Sequence, residues 1–284
     1  MDIGAIIINI LREQDHGIKT GTAAMLAILE EMQQQVMTEI GRAAVESWDY
    51  YFLQRMLPAI ERQVDNFRQK AQLEAAGLLK QHWGLGQSLV DAPIAAAQPG
   101  IYMGFHLGTA SLDALRDFTV HKLADISNDA YARIRSELQL GIMAGKSPAE
   151  VAKAIGRDLE SPSVFRSIAY RAEVVTRTEM GRVFSKATEM RLEQAALVIP
   201  GMEKEWIHAG HPMKPRPTHL AAHGQRVPVA EPFRIGAQQM MFPRDPAAPL
   251  DEVINCGCDH VPWNPSWGAA TVASRIAPLA AVWD

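Results

Sequence analysis

Residues 161–200 read SPSVFRSIAYRAEVVTRTEMGRVFSKATEMRLEQAALVIP. Ser161-Pro162 is a helix-start signal, a capping hydroxyl followed by a first-turn proline. From it Val164, Ile168, Ala172, Val175, Glu179, Val183, Ala187, Met190 and Leu197 recur at helical spacing. The stretch therefore predicts one long helix with a single buried stripe. Glu179 stands where that stripe calls for an apolar residue, and a buried carboxylate is costly unless paired. Arg177, two residues away, points to another side of the helix. The partner is expected from downstream, from Arg216 or Lys214, so that a buried ion pair clamps the C-terminal segment onto the helix. A catalytic acid, or a solvated carboxylate on a rotated helix, are the other two readings.

Outward from this helix the chain changes character. Eleven of the 17 prolines fall between Pro200 and Pro265. Proline removes a backbone donor, so the chain before residue 200 reads as helical and the rest as loops, turns and short strands. Upstream, Thr20 or Thr22 caps a helix with Met25, Leu29, Met32, Val36 and Ile40 on one face. A second helix is expected from Pro58, carrying Ile60, Val64, Phe67, Ala71, Ala75 and Leu78. Residues 82–100, punctuated by Gly and Pro, read as a linker or an extended arm. Helix resumes over 105–123, and Ser127 or Asn128 caps another that Gly145 ends. Ser147-Pro148-Ala149-Glu150 is a capping box. The fold class is α+β, predominantly α. The expected division is a helical N-terminal region over 1–125, a compact module over 126–262 and a tail over 263–284.

The chain has 284 residues, 48% hydrophobic and 21% charged, which suffices for a packed core. Lys+Arg is 28 against Asp+Glu 32, a net charge of −4. That disfavours a generally phosphate-neutralising surface, and nucleic-acid contact is left open. No apolar run approaches the roughly 18 residues of a membrane span, and residues 3–11 lack the basic leader of a secretory signal. The expectation is a soluble protein that stays in the compartment where it is made. Cys256 and Cys258, the two cysteines, fit a reducing cytoplasm.

Five of the nine histidines, His208, His211, His219, His223 and His260, share one window with both cysteines. Imidazole and thiolate together are zinc ligands. His219, His223, Cys256 and Cys258 would supply four, although C-x-C is tighter than the usual C-x2–4-C spacing. Loop histidines beside two small buried thiols, a structural zinc and a catalytic metal are the three readings. The motifs of zinc deaminases, P-loops, nucleophile elbows and H-E-x-x-H proteases are absent.

Taken in order, a longer series emerges. It runs Gly141, Gly145, Ser147-Pro148, Val151-Ala152 and Thr176-Arg177-Thr178-Glu179. Then come Trp206, Arg216-x-x-His219, His223-Gly224, Phe233, Pro243-x-Asp245 and Glu252-Val253-Ile254-Asn255-Cys256-x-Cys258. This resembles the phage Mu F-like minor head proteins, or phage head morphogenesis proteins, over about residues 127–262. The family pattern is an "ARTE" helix, a Trp, D-x-R-x-R-x-x-H, a P-G-D and an N-C-R-C close. This chain departs at Thr176, Pro212, Lys214, Arg244 and Gly257.

The resemblance implies a minor structural protein of a tailed-phage head, made in the host cytoplasm and joining the virion head near the portal. Its partners would be the portal and other head proteins, major capsid or scaffold, and it could accompany DNA delivery. No membrane is implied, and the role is contact without turnover. Arg177, Thr178, Glu179, Trp206, Arg216, His219, Asp245 and Asn255 would form a structural cluster rather than a catalytic one. The rival is a metal-dependent hydrolase or toxin-type transferase using Glu179, His219 and Cys256/Cys258. Only a short stretch follows Pro262, too short for a further domain. Its Trp263, Trp267 and Trp283 are expected to dock, on their own domain or on a partner.

Overall fold

The computed structural model describes residues 2–43, 48–101, 107–157, 159, 162–208, 215–268 and 272–276. The helices come first: α1 Ile3–Gly41, α2 Tyr50–Ala97, α3 Ala110–Met143, α4 Pro148–Ile155 and α5 Val164–Val198. Short elements follow: β1 Glu203–His208, α6 Pro217–Ala221, β2 Arg226–Pro228, β3 Phe233–Ile235, β4 Gln238–Met240, α7 Leu250–Val253, β5 Cys258–Trp263 and α8 Val272–Ile276. A 3-10 turn over Pro265–Trp267 separates the last two. The protein is therefore α+β and mainly α, with the change of character at Pro200. No helix among the described residues is long and apolar enough to cross a membrane.

Two compact bodies are present, neither a continuous stretch of chain. The first comprises Thr20–Gly77 and Arg116–Thr176. Its core is almost entirely hydrocarbon. Met25, Leu29, Met32, Val36 and Ile40 of α1 pack with Ile60, Val64, Phe67 and Ala71 of α2. Ile134 and Leu138 of α3 join them, as do Val151 of α4 and Phe165, Ile168 and Ala172 of α5. These are the faces that the 3–4 spacing marks. The capping box forms in full: Ser147 Oγ accepts from Glu150 N–H at 3.3 Å, and Glu150 Oε2 accepts from Ser147 N–H at 2.8 Å. Gly145, at φ +67, takes the left-handed turn before it.

The second body comprises Met1–Lys19, Leu78–Leu115 and Arg177–Asp284. Here β1 is the centre of a three-stranded antiparallel sheet in the order β2-β1-β5. β3 and β4 form a separate hairpin. In β1 against β5, Trp206 faces His260 and His208 faces Cys258. Within this body, Val272, Ala273 and Ile276 of α8 pack with Ile7, Leu11, Leu89, Phe184, Ile207 and Val261.

Several expected boundaries move. α1 begins at Ile3 and runs straight through Thr20 and Thr22, so neither is a cap. α2 begins at Tyr50, eight residues before Pro58. Residues 82–97 of the expected linker or arm are instead the end of α2, with Leu85, Leu89, Val90 and Ile94 buried. Its glycine has a packing cause, because a Cβ on Gly86 would lie 2.4 Å from the carbonyl oxygen of Phe184 in α5. α3 is one helix, and Ser127 lies within it, its hydroxyl donating back to the Leu123 carbonyl at 3.0 Å. Ser163 supplies the hydroxyl at the start of α5, accepting from Arg166 N–H at 3.2 Å. Phe105, Ser161 and Trp283 lie outside the described residues.

Candidate functional site

The site grows from a polar stripe of α5 and the proline-rich segment beside it, all in the second body. Glu179 is buried, 5% exposed, and ion-paired with Arg182 one turn further along at 2.5 Å. The carboxylate on the apolar stripe is thus paired, as its cost requires. One partner, Arg182, comes from its own helix. Arg216, expected to clamp it, donates to the Ile254 carbonyl at 2.7 Å and lies 4.0 Å from Glu252. Lys214, the other expected partner, lies outside the described residues, as do His211 and Pro212.

The link between helix and segment is carried by Arg244. Its side chain is 3% exposed. Nη1 donates to the Gly181 carbonyl at 3.1 Å, to Ser185 Oγ at 3.0 Å and to Asp259 Oδ1 at 3.1 Å. Nε donates to the Cys256 carbonyl at 2.9 Å. Arg182 in turn donates to the Arg244 carbonyl at 3.3 Å. Burial opposes the guanidinium charge, but Asp259 and the thiols outweigh it and hold Arg244 above its ordinary value. The backbone of Arg244 sits at φ 65, the region that glycine adopts freely. Gly181 is its counterpart, since a Cβ there would meet Arg244 Cζ at 2.4 Å.

A second buried ionic group lies on the same helix. Lys204 Nζ, on β1, reaches Glu189 Oε1 at 2.5 Å and the Met241 carbonyl at 2.7 Å. His260 Nε2 lies 3.1 Å from Glu189 Oε2. All three side chains are at most 1% exposed. Burial pushes Glu189 up, but His260 and Lys204 together hold its carboxyl below the ordinary range.

The third group is imidazole and thiol. His219 comes from α6, whose first turn opens at Pro217. Cys256 follows Asn255, which turns the chain at φ 54 while its N–H donates to Thr178 Oγ1 at 3.2 Å. Cys258 begins β5. His219 Nδ1 lies 3.4 Å from Cys256 Sγ and 3.5 Å from Cys258 Sγ. The three donor atoms fall within 4.8 Å of one another, and all three residues are buried. They could hold a metal ion. On its far side His219 Nε2 meets Glu252 Oε2 at 2.7 Å.

Burial pushes His219 down, but the Cys256 thiolate and Glu252 outweigh it and raise the ring overall. The hydrogen bond from Cys258 pulls Cys256 well below the thiol range, and burial pushes Cys258 up. Trp206 covers the group, its ring meeting His219 edge-on at 5.7 Å and Phe233 at 5.2 Å.

His223, the expected fourth metal ligand, is engaged elsewhere. Its Nδ1 accepts from the backbone N–H of His208 at 2.9 Å, and its Nε2 meets the Ala273 carbonyl at 3.1 Å. The side chain that does face the cluster is His208, whose Nδ1 lies 3.4 Å from Cys258 Sγ.

Thr178, Glu179, Trp206, His219 and Asn255 thus enter the contacts around the site, and Arg216 meets Ile254 and Glu252 at its edge. Asp245 works locally: its carboxylate accepts from the N–H groups of Met241 and Ala247, both at 2.9 Å. Sequence reasoning missed Arg182, Ser185 and Glu189, yet with Glu179 they fall at spacings of three, three and four. That polar stripe was available as a signal. Lys204, Arg244 and His260 carried no comparable pattern.

The fold and site together define a predominantly helical α+β protein with a buried imidazole–thiol cluster and two buried ionic clasps. The segment that builds these groups, residues 132–261, matches the family described as "Phage Mu protein F like protein". The chain is also 25% identical over 211 residues to an NAD(+)--arginine ADP-ribosyltransferase EFV of Enterococcus faecalis. That match covers 74% of this chain and 40% of the relative, so the chain spans about two fifths of that protein's length. No solved structure matches the chain.

Proposed function

We propose that the protein is a minor structural component of a tailed-phage head. It acts in procapsid and head morphogenesis near the portal, through contact with the portal and other head proteins. It is made in the host cytoplasm, enters the virion head, and could accompany the DNA at delivery. The carrying observation is the Mu F-like segment over residues 132–261. The buried chemistry supports contact rather than turnover. Glu179, the residue an acid catalyst reading needs, is buried in an ion pair, and Lys204, Glu189 and His260 are sealed from solvent. Groups that substrate must reach do not suit such positions, whereas groups that fix a short-stranded segment to a helix do.

The test is particle composition. Heads assembled with and without the protein should differ: with it, the chain co-purifies with portal-containing particles; without it, head yield or packaging falls. A chain absent from every particle and procapsid fraction overturns the reading. The similarity to a transferase favours one rival, arginine ADP-ribosylation. Purified protein given NAD and an arginine acceptor is expected to release no nicotinamide. Release that Glu179→Gln abolishes without unfolding the chain would establish the enzyme instead.

A further inference from the structure

The imidazole–thiol group has dimensions that core packing does not require. A tetrahedral zinc site with Zn–S of about 2.3 Å and Zn–N of about 2.0–2.1 Å has N···S edges of about 3.5 Å. The three N···S separations here are 3.4, 3.5 and 3.4 Å. Two of them share His219 Nδ1, and the third brings in His208. The carboxylate of Glu252 sits on His219 Nε2, which leaves the Nδ1 lone pair directed at the thiols. That is how carboxylates orient metal-ligating histidines. Two thiolates, two neutral imidazoles and one divalent ion sum to zero charge, which suits a buried pocket.

We infer that Cys256 Sγ, Cys258 Sγ, His219 Nδ1 and His208 Nδ1 bind one zinc ion in a closed, four-ligand structural site. Binding releases two protons to solvent, one from Cys258 and one shared by the Cys256–His219 pair, and leaves no coordination position for an activated water. His208 completes the set by turning its half-buried ring from Cys258 toward the other three donors. His223 is a positioning residue: its Nδ1 holds the backbone N–H of His208 at the end of β1. The ion ties together the end of β1, α6, and the turn that enters β5. The inference is independent of the head-morphogenesis reading.

Elemental analysis of the full chain, purified under reductant without chelator, tests this first. About one zinc per chain is expected, with both thiols unreactive toward a disulfide reagent until a strong chelator is added. X-ray absorption should give two sulfur and two nitrogen ligands, and cobalt(II) exchange should give the intense visible bands of a tetrahedral dithiolate site. His208→Ala should replace one nitrogen by a light solvent ligand and weaken binding, and Glu252→Gln should weaken it about 10–100-fold with the fold retained. Metal-free protein whose melting is unchanged by added zinc overturns the site. A wild-type spectrum with an open position, unaltered in His208→Ala, overturns the closed geometry and the assignment of His208.

Discussion

The two bodies solve the same problem with different materials. In the first, helices of many turns offer continuous apolar faces, and its buried polar side chains are uncharged: Thr22, Gln33, Thr119, Ser127 and Thr176. Among the described residues every buried carboxylate, lysine and arginine lies in the second body. Its strands are three to six residues long, and such elements cannot bury enough hydrocarbon to define their own positions. Directional contacts do that work instead. Arg244 alone joins the Gly181 carbonyl, Ser185, the Cys256 carbonyl and Asp259. The lesson is that buried charge appears where area is scarce and orientation must be set.

The sharpest way to break this contrast is to remove one charge from the second body. Glu189→Ala leaves Lys204 and His260 buried without their carboxylate, and should cost about 3–5 kcal/mol in denaturant titration. Replacing both members, Glu189→Leu with Lys204→Met, should cost much less, because no lone charge remains. A single variant with less than about 1 kcal/mol of loss would show that the clasp is not what fixes β1. The same pair sets an acid limit. Since the folded-state pKa of Glu189 lies below the ordinary 4.5, its contribution is fully present above that value. It is lost as the pH falls through the depressed folded value, so acid melting should be steepest below pH 4.5 and blunted in the double variant.

In the first body the matching experiment removes volume. Leu138 is fully buried in α3. Leu138→Ala should cost about 2–5 kcal/mol, with no change in pH dependence, since it leaves a cavity and no charge. A loss that varied strongly between pH 4 and pH 7 would mean that the two bodies do not differ in the way their cores suggest.

How much of this was legible depends on what each residue contacts. The faces of α1 and α2 and most of that of α5 could be read because burial along a helix repeats at its own period, although Leu197, placed on the α5 stripe, is 83% exposed where that helix ends. The capping box could be read because its donors and acceptors lie within four residues. The continuation of α2 past residue 82 could not. Gly86 there reads as punctuation, whereas its cause is the backbone of α5, about a hundred positions away. Glu179 was legible as a buried charge needing a partner, and Arg182, which meets it one turn further along, lies at a spacing the helix period also offers. His223 and His208 are chemically alike in the sequence. Only the register His208↔Cys258 and the hydrogen bond from the His208 backbone separate ligand from support.

Two smaller effects refine the comparison. Gly86→Ala sets a methyl 2.4 Å from a carbonyl oxygen, so either α2 or α5 must shift, at about 1–3 kcal/mol. On helix propensity alone the same change would be favourable by about 0.8–1.0 kcal/mol. A stabilised variant would therefore show that the approach of the two helices is loose, and the second body less tightly specified than its hydrogen bonds imply. Ser147→Ala deletes a cap in the first body, where only local backbone donors are at stake, and should cost about 1 kcal/mol. Hydrogen exchange should quicken at the N–H groups of the first turn of α4 and leave those of β1 and β5 unchanged. Faster exchange spreading into the two strands would mean that the capping box supports more than its own helix.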